Sequence, residues 1–153
     1  MTKEISNVRY VSKIIIICEK QYVFSIKKSP LNPLKDNRLE LFGGNVDLGE
    51  TPFEGLIREL QEEEMSGILA EKAKAFKLKP LKLFGIEKKT QCIYQMEISL
   101  QEHSQLKAHP DESYGIQTLS QKKIVTLENI EMDHFTPKTI KIFQNLGMIQ
   151  SEP

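Results

Sequence analysis

Residues 43–67 read GGNVDLGETPFEGLIRELQEEEMSG, a turn-rich loop followed by a helical pattern. Thr51 can cap the free N–H groups of a helix start, and Pro52 suits the first helical position. We therefore expect a helix over residues 51–65. Its apolar face is predicted from the helical spacing of Phe53, Leu56, Ile57 and Leu60.

The same helix concentrates acidic residues on another face. Glu59, Glu62 and Glu63 are three or four positions apart, and like charges at that spacing destabilise a helix by roughly 0.2–0.5 kcal/mol per pair. The acids also lie near the helix C-terminus, where the macrodipole favours cations. A bound divalent cation would relieve both penalties. The alternative is an ordinary solvated acidic face.

The composition indicates a globular protein without an obvious polyelectrolyte partner. The chain has 153 residues, which suits one domain over residues 1–153. Lys and Arg together number 21, as do Asp and Glu, so nothing suggests a nucleic-acid scaffold or a membrane-surface binder. No apolar run approaches the ~20 residues of a membrane span. The first ten residues do not resemble a signal peptide, and we expect a cytoplasmic location.

The first third of the chain predicts a hairpin and a loop. A β-branched strand over residues 10–19 should turn at residues 20–21 and return over residues 22–27. Residues 29–37 contain two prolines and should form a loop that borders a ligand site. A short strand over residues 38–42 should then lead into the double glycine.

The rest of the chain predicts a mixed α/β domain. Cys18 and Cys92 lie in strand-like runs and are expected to be buried, reduced thiols. A final helix should begin at Thr136 and cover the opposite face of the sheet. The other expected elements are a strand or helical turn in 70–79, strands over 82–88 and 91–100 joined by a turn at 89–90, a loop over 101–113, a strand over 114–118 and a short element over 120–127.

The spacing of the loop and the acidic helix resembles the Nudix box. That motif is Gly, five residues, Glu, seven residues, and then Arg-Glu-aliphatic-any-Glu-Glu-any-Gly-aliphatic. Residues 44–66 fall in this register, and seven specified positions agree: Gly44, Glu50, Arg58, Glu59, Leu60, Glu62 and Glu63.

The sequence departs from the motif where the helix ends. Met65 replaces the closing glycine and Ser66 the following aliphatic residue, while Gly67-Ile68 supplies that pair two residues later. Phe42 stands where the family often has proline. These changes concern the helix exit and the loop, and none of them removes a carboxylate.

The resemblance implies a Nudix-like α/β/α sandwich with a mixed sheet in a single domain. It also implies metal-dependent hydrolysis of a diphosphate linkage in a nucleoside diphosphate joined to another group, with Mg²⁺ or alternatively Mn²⁺ as cofactor. Nucleoside triphosphates, including oxidised ones, are the favoured substrates, and homodimers are common in the family. The alternative is a non-catalytic nucleotide-binding module of the same fold.

The resemblance also implies a metal site. Glu62 and Glu63 would be the main ligands, and the backbone carbonyl of Gly43 would complete the set. Glu59 would be either a further ligand or the base that activates water. Glu64 drifts towards the apolar face of the helix, and we leave it out of the site.

Two further residues would fix this site in place. The resemblance implies that Arg58 pairs with Glu50, holding the loop against the helix and orienting Glu59. The alternative for Arg58 is an ordinary i, i+4 pair with Glu54.

For the other candidate residues, a purely structural role is the default interpretation. Asp111 and Glu112 are either a further catalytic carboxylate, as in some relatives, or solvated loop acids. The aromatic residues that could stack a base, or simply belong to the core, are Tyr22, Phe24, Phe84 and Tyr94. The histidines show no ligand spacing and are expected at the surface: His103, His109 and His134.

Overall fold

A computed structural model describes residues 8–149, which form a seven-stranded mixed sheet with helices on both faces. The strands are Arg9–Cys18 (β1), Gln21–Lys27 (β2), Leu39–Glu40 (β3), Phe42–Asn45 (β4), Lys82–Ile86 (β5), Lys89–Glu97 (β6) and Ser113–Ser120 (β7). The helices are Pro52–Glu63 (α1), Ile68–Phe76 (α2), Leu100–Ser104 (α3), Gln121–Val125 (α4), Asn129–Met132 (α5) and Pro137–Asn145 (α6). This architecture confirms the predicted α/β sandwich with a mixed sheet.

Strand β1 is the centre of the sheet. It pairs antiparallel with β2 and β4 and parallel with β6. Its isoleucines alternate between two cores, since Ile14 and Ile16 belong to one and Ile15 to the other. Because both faces of the strand are covered, the sequence there is nearly continuous in apolar residues.

The two cores carry helices on opposite sides of the sheet. Leu56 and Leu60 of α1 are fully buried in the first core, together with residues of α2. Ile142 and Phe143 of α6 are fully buried in the second. The final helix therefore covers the face opposite the acidic helix, as predicted.

The predicted hairpin is present, with its tip one residue earlier than expected. Glu19 and Lys20 both have positive φ angles, 51° and 62°, and β2 begins at Gln21. Two consecutive left-handed residues match the twist of antiparallel strands, although this tip lacks the usual Asn or Gly.

The double glycine lies in a strand, which corrects the prediction of one strand over residues 38–42 followed by a loop. The chain forms β3, then β4, and β4 places Gly43 opposite Lys13 and Gly44 opposite Ser12 of β1. Gly43 has a φ of 121°, and a Cβ there would lie 2.0 Å from the backbone oxygen of Ser12. Only glycine fits this close approach.

Two other local predictions need correction, and the helical alternative of a third is confirmed. The turn expected at residues 89–90 lies at residues 87–88, where Glu87 adopts a left-handed φ of 57°. The expected loop over residues 101–113 contains α3, because Ser99 and Glu102 form a capping box. The ambiguous stretch over residues 70–79 belongs largely to helix α2.

Helix α1 ends at Glu63, two residues before the predicted end. Glu64 is extended and bridges to Ala108, while the Met65 N–H donates to the Lys107 carbonyl at 2.7 Å. The exit from the helix is thus a short sheet-like contact with a distant segment. This contact occupies the position where the motif has its closing glycine.

Glu64 stabilises that exit. Its carboxylate accepts from the Ser66 N–H at 2.9 Å, the Ser66 hydroxyl at 2.6 Å and the Lys107 N–H at 2.8 Å. The residue is 1% exposed. The Glu64 carboxylate therefore serves as a hydrogen-bond acceptor at the helix exit, away from the acidic face.

The structure also bears on the two cysteines and on membrane-spanning helices. Cys18 and Cys92 are buried free thiols, as expected. Among residues 8–149, no helix combines the length and the apolar character that crossing a membrane requires. The cytoplasmic location and the single-domain assignment stay predictions.

We expect Glu64→Ala to lower the free energy of unfolding by about 1–3 kcal/mol, because it leaves buried N–H donors without an acceptor. Urea denaturation measures the change. Glu71→Ala is the control, since its side chain is 73% exposed and pairs only with Lys74 on the surface. Equal destabilisation by the two substitutions would contradict this role for Glu64.

Candidate active site

Helix α1 packs against β4 so that an acidic side chain reaches the double glycine. A Cβ built on Gly44 would lie 2.6 Å from the Glu59 carboxyl carbon. Glycine at this position leaves room for the carboxylate. The backbone of β4 and the acidic face of α1 thus form one wall.

Arg58 connects the loop to the helix. Its guanidinium donates to both oxygens of Glu50, at 2.8 and 3.0 Å, and to the backbone carbonyl of Asn45 at 2.9 Å. It also donates to Glu59 and Glu62, each at 3.2 Å. The predicted contact between Arg58 and Glu50 is therefore present, in the bidentate geometry that gives arginine–carboxylate pairs their specificity.

The alternative partner of Arg58 is engaged elsewhere. The Glu54 carboxylate accepts from the Thr51 N–H at 2.8 Å as half of a capping box. The hydrogen bonds from Arg58 hold the pKa of Glu50 below its ordinary value, so this carboxylate is ionised.

Glu63 is the most deeply buried acid of the helix. Its Oε1 accepts from the Gly43 N–H at 2.7 Å, and it makes no ion pair among residues 8–149. Burial raises the pKa of Glu63 to about 8, and burial also raises the pKa of Glu59. The nearby charge of Lys13 offsets only part of the effect of burial, so the Glu63 carboxylate is costly to ionise.

These acids line a cavity of about 440 Å³, within the usual range of small-molecule sites. Glu59 and Glu63 lie on its wall together with Gly43, and Glu112 from the late loop lies there too. Glu62 does not line the cavity; its side chain is 49% exposed and pairs with Arg58. The structure thus brings two of the three predicted helix acids together.

A divalent cation fits the donors on this wall. Among residues 8–149, no three His, Cys, Asp or Glu side chains converge on a common centre. However, Glu59 and Glu63 supply the hard oxygen ligands that Mg²⁺ prefers, and the Glu63 carboxylate makes no ion pair among residues 8–149. The Gly43 carbonyl, a predicted ligand, accepts from the Lys13 ammonium at 3.1 Å.

Sequence reasoning missed the basic residues of the cavity. Five lysines line it: Lys13, Lys27, Lys35, Lys138 and Lys141. Lys13 is almost fully buried and lies 3.7 Å from the Glu40 carboxylate. A signal was available, because Lys13 directly precedes four consecutive isoleucines in a β-branched strand. The other lysines come from separate segments, which only the fold brings together.

The remaining candidates lie mostly outside the cavity. The four strand aromatics and the three histidines are absent from its wall. Phe24 and Tyr94 are buried in the cores, and Tyr22 and Phe84 pack against one of them. Both late-loop acids are exposed, and Glu112 lines the cavity whereas Asp111 does not.

Comparison with known proteins gives no match by sequence, either to a protein-family model or to a curated protein. Solved structures do match. A MutT protein from Methanosarcina mazei Go1 superposes with a TM-score of 0.60 at 17% identity, covering 94% of this chain and 95% of that one. A NUDIX-family hydrolase from Clostridium perfringens gives 0.57 at 14%, covering 91% and 95%. The chain has the Nudix fold.

Another match with the Nudix fold occurs within a larger protein. A bifunctional NMN adenylyltransferase/ADP ribose pyrophosphatase from Francisella tularensis, complexed with AMP and a Mn ion, gives a TM-score of 0.62 at 16% identity. The match covers 91% of this chain but only 41% of that protein. The predicted resemblance to the Nudix family is thus confirmed at the level of fold.

We expect the stability of the metal-free protein to depend on pH through Glu63. Its pKa is raised from 4.5 to about 8, so its contribution to stability is present below about pH 4.5 and is lost as the pH rises through 8. Glu63→Gln should therefore increase the free energy of unfolding by at least about 1 kcal/mol at about pH 8.5, and change it little at about pH 5.

Urea unfolding in the presence of a chelator measures this difference at both pH values. Glu71→Gln, on the exposed surface of α2, is the control and should leave the pH dependence as in wild type. A gain from Glu63→Gln that is the same at both pH values would contradict the assignment.

Proposed function

We propose that this protein is a metal-dependent pyrophosphohydrolase that cleaves a diphosphate linkage in a nucleoside diphosphate joined to another group. One observation carries the proposal. Arg58 bonds Glu50 in the loop and Glu59 on the acidic helix, and Glu59 and Glu63 line a cavity that also contains lysines. The Nudix fold supports the proposal, but the argument for activity comes from the site.

The acidic wall would hold the cofactor, Mg²⁺ or alternatively Mn²⁺. Glu63 and Glu59 would supply carboxylate oxygens. Glu62 would supply a further carboxylate once its hydrogen bonds from Arg58 were broken. The Gly43 carbonyl would become a ligand only after it lost its hydrogen bond from the Lys13 ammonium. When bound, the cation would neutralise charge on the diphosphate, and this is the main catalytic requirement of phosphoryl transfer.

Hydrolysis also needs a proton acceptor for the attacking water. A P–O bond forms to the water oxygen, the P–O bond to the leaving phosphate breaks, and a carboxylate takes the water proton. Burial makes Glu59 a stronger base than an exposed glutamate, because it raises the pKa of the group. Glu112 on the same cavity wall is the other candidate, and it is the base if Glu59 is a metal ligand.

Nucleoside triphosphates, including oxidised ones, remain the favoured substrates. The five lysines of the cavity support an anionic ligand, because ammonium groups pair well with phosphate oxygens. The Francisella tularensis protein with the same fold is complexed with AMP, and this supports a nucleotide-type ligand here. A homodimer and the absence of nucleic-acid and membrane partners stay predictions.

We expect magnesium-dependent release of phosphate products from at least one member of a panel of nucleoside triphosphates, dinucleotides and nucleotide sugars. Glu63→Gln should lower kcat by at least about 100-fold, because it removes the most buried carboxylate of the site. Liquid chromatography of the products measures both effects. Glu71→Gln, which lies outside the cavity, should retain wild-type activity.

Two outcomes would contradict the proposal. One is wild-type protein that turns over no member of the panel with Mg²⁺ or Mn²⁺. Tight nucleotide binding in that protein would instead favour the non-catalytic binding module. The other is Glu63→Gln with unchanged kcat, which would remove the acidic wall from the mechanism.

A further inference from the structure

The cavity lysines differ in whether they have a counter-charge. Lys27 lies 3.8 Å from the Glu40 carboxylate, and Lys141 lies 3.6 Å from that of Glu87. In contrast, the ammonium groups of Lys35 and Lys138 make neither an ion pair nor a hydrogen bond within residues 8–149. Within residues 8–149, two cationic side chains of one cavity therefore make no ion pair, and the Glu87 carboxylate acts on Lys138 only from a longer distance.

Lys138 is in the less favourable environment of the two. It is half-buried and lies in the first turn of α6, where the helix macrodipole disfavours a cation. Burial lowers the pKa of Lys138, and the charge of Lys89 lowers it further; the Glu87 carboxylate opposes this shift in part, and Lys35 adds to it. The macrodipole thus disfavours a cation at the start of α6, just as it disfavours the acids near the end of α1. An anion bound between these lysines would relieve this penalty.

We propose that Lys138 and Lys35 form a subsite for a phosphate group of the substrate that lies away from the scissile linkage. The substrate class is then a chain of three or more phosphates, such as a nucleoside triphosphate. This choice of substrate rests on the proposed function, since the cleaved linkage is assigned to the acidic wall of the same cavity.

This cavity can distinguish between substrates mainly by their charge. The part of its wall formed by residues 8–149 includes no aromatic side chain, so ring stacking contributes little there. A nucleotide joined to a neutral sugar would bring no further phosphate to Lys138, which makes no ion pair among residues 8–149. A polyphosphate chain carries charge along its length and can meet both the cation-binding wall and the lysines.

Inorganic tripolyphosphate tests the subsite without any catalytic step. Calorimetry in the presence of a chelator should show binding to the wild-type protein. Lys138→Met should weaken it roughly tenfold, the equivalent of about 1.4 kcal/mol. Lys35→Met, at an exposed position, should weaken it in the same direction and provides a variant that leaves the fold intact. Lys122→Met on the exposed surface of α4 is the matched control and should bind as wild type does.

Kinetics separates this inference from the proposed function. Lys138→Met should raise KM for adenosine triphosphate roughly tenfold and leave KM for uridine diphosphate glucose unchanged, if both are turned over. Tripolyphosphate binding that depends on Lys138, in a protein without hydrolytic activity, would support the subsite and contradict the hydrolase. Wild-type-like tripolyphosphate affinity in both lysine variants, or no binding to wild type, would overturn the subsite even in an active enzyme.

Discussion

The site depends on one guanidinium group. Arg58 bonds the carboxylate of Glu50 in the loop and those of Glu59 and Glu62 on its own helix, so a single planar group sets the positions of three acids. Without it, Glu50 would lose its bond to the helix, and no guanidinium would offset the repulsion between Glu59 and Glu62. Lysine could not replace it, because an ammonium group cannot make the bidentate contact with Glu50.

The cavity holds like charges that the protein itself does not neutralise. Within residues 8–149, Glu63 is buried on one side without an ion pair, and Lys138 on the other side has none either and is close to further lysines. Each arrangement costs stability in the free protein and favours a ligand of the opposite sign. A metal cation together with a polyphosphate supplies both signs at once. Binding sites that are preformed before the ligand binds commonly lower the stability of the free protein in this way.

The parts of the fold that follow from local signals were predictable, whereas those that depend on distant contacts were not. Thr51, Pro52 and the spacing of Leu56 and Leu60 predict helix α1 almost in full. The strand pairing of Gly43 with Lys13 and the helix exit at Glu64 depend on partners far along the chain. The lysine cavity is built from several separate segments, so no short stretch of sequence reveals it.

In our proposal, the acidic face of α1 binds a divalent cation. The thermal unfolding of the wild-type protein and of Glu63→Gln, with chelator and with about 5 mM Mn²⁺, tests it most directly. Because a cation that binds only the folded chain stabilises it, the account predicts a rise in Tm with Mn²⁺ for wild type and little or none for Glu63→Gln. An unchanged Tm in wild type, or an equal rise in both proteins, would contradict the account.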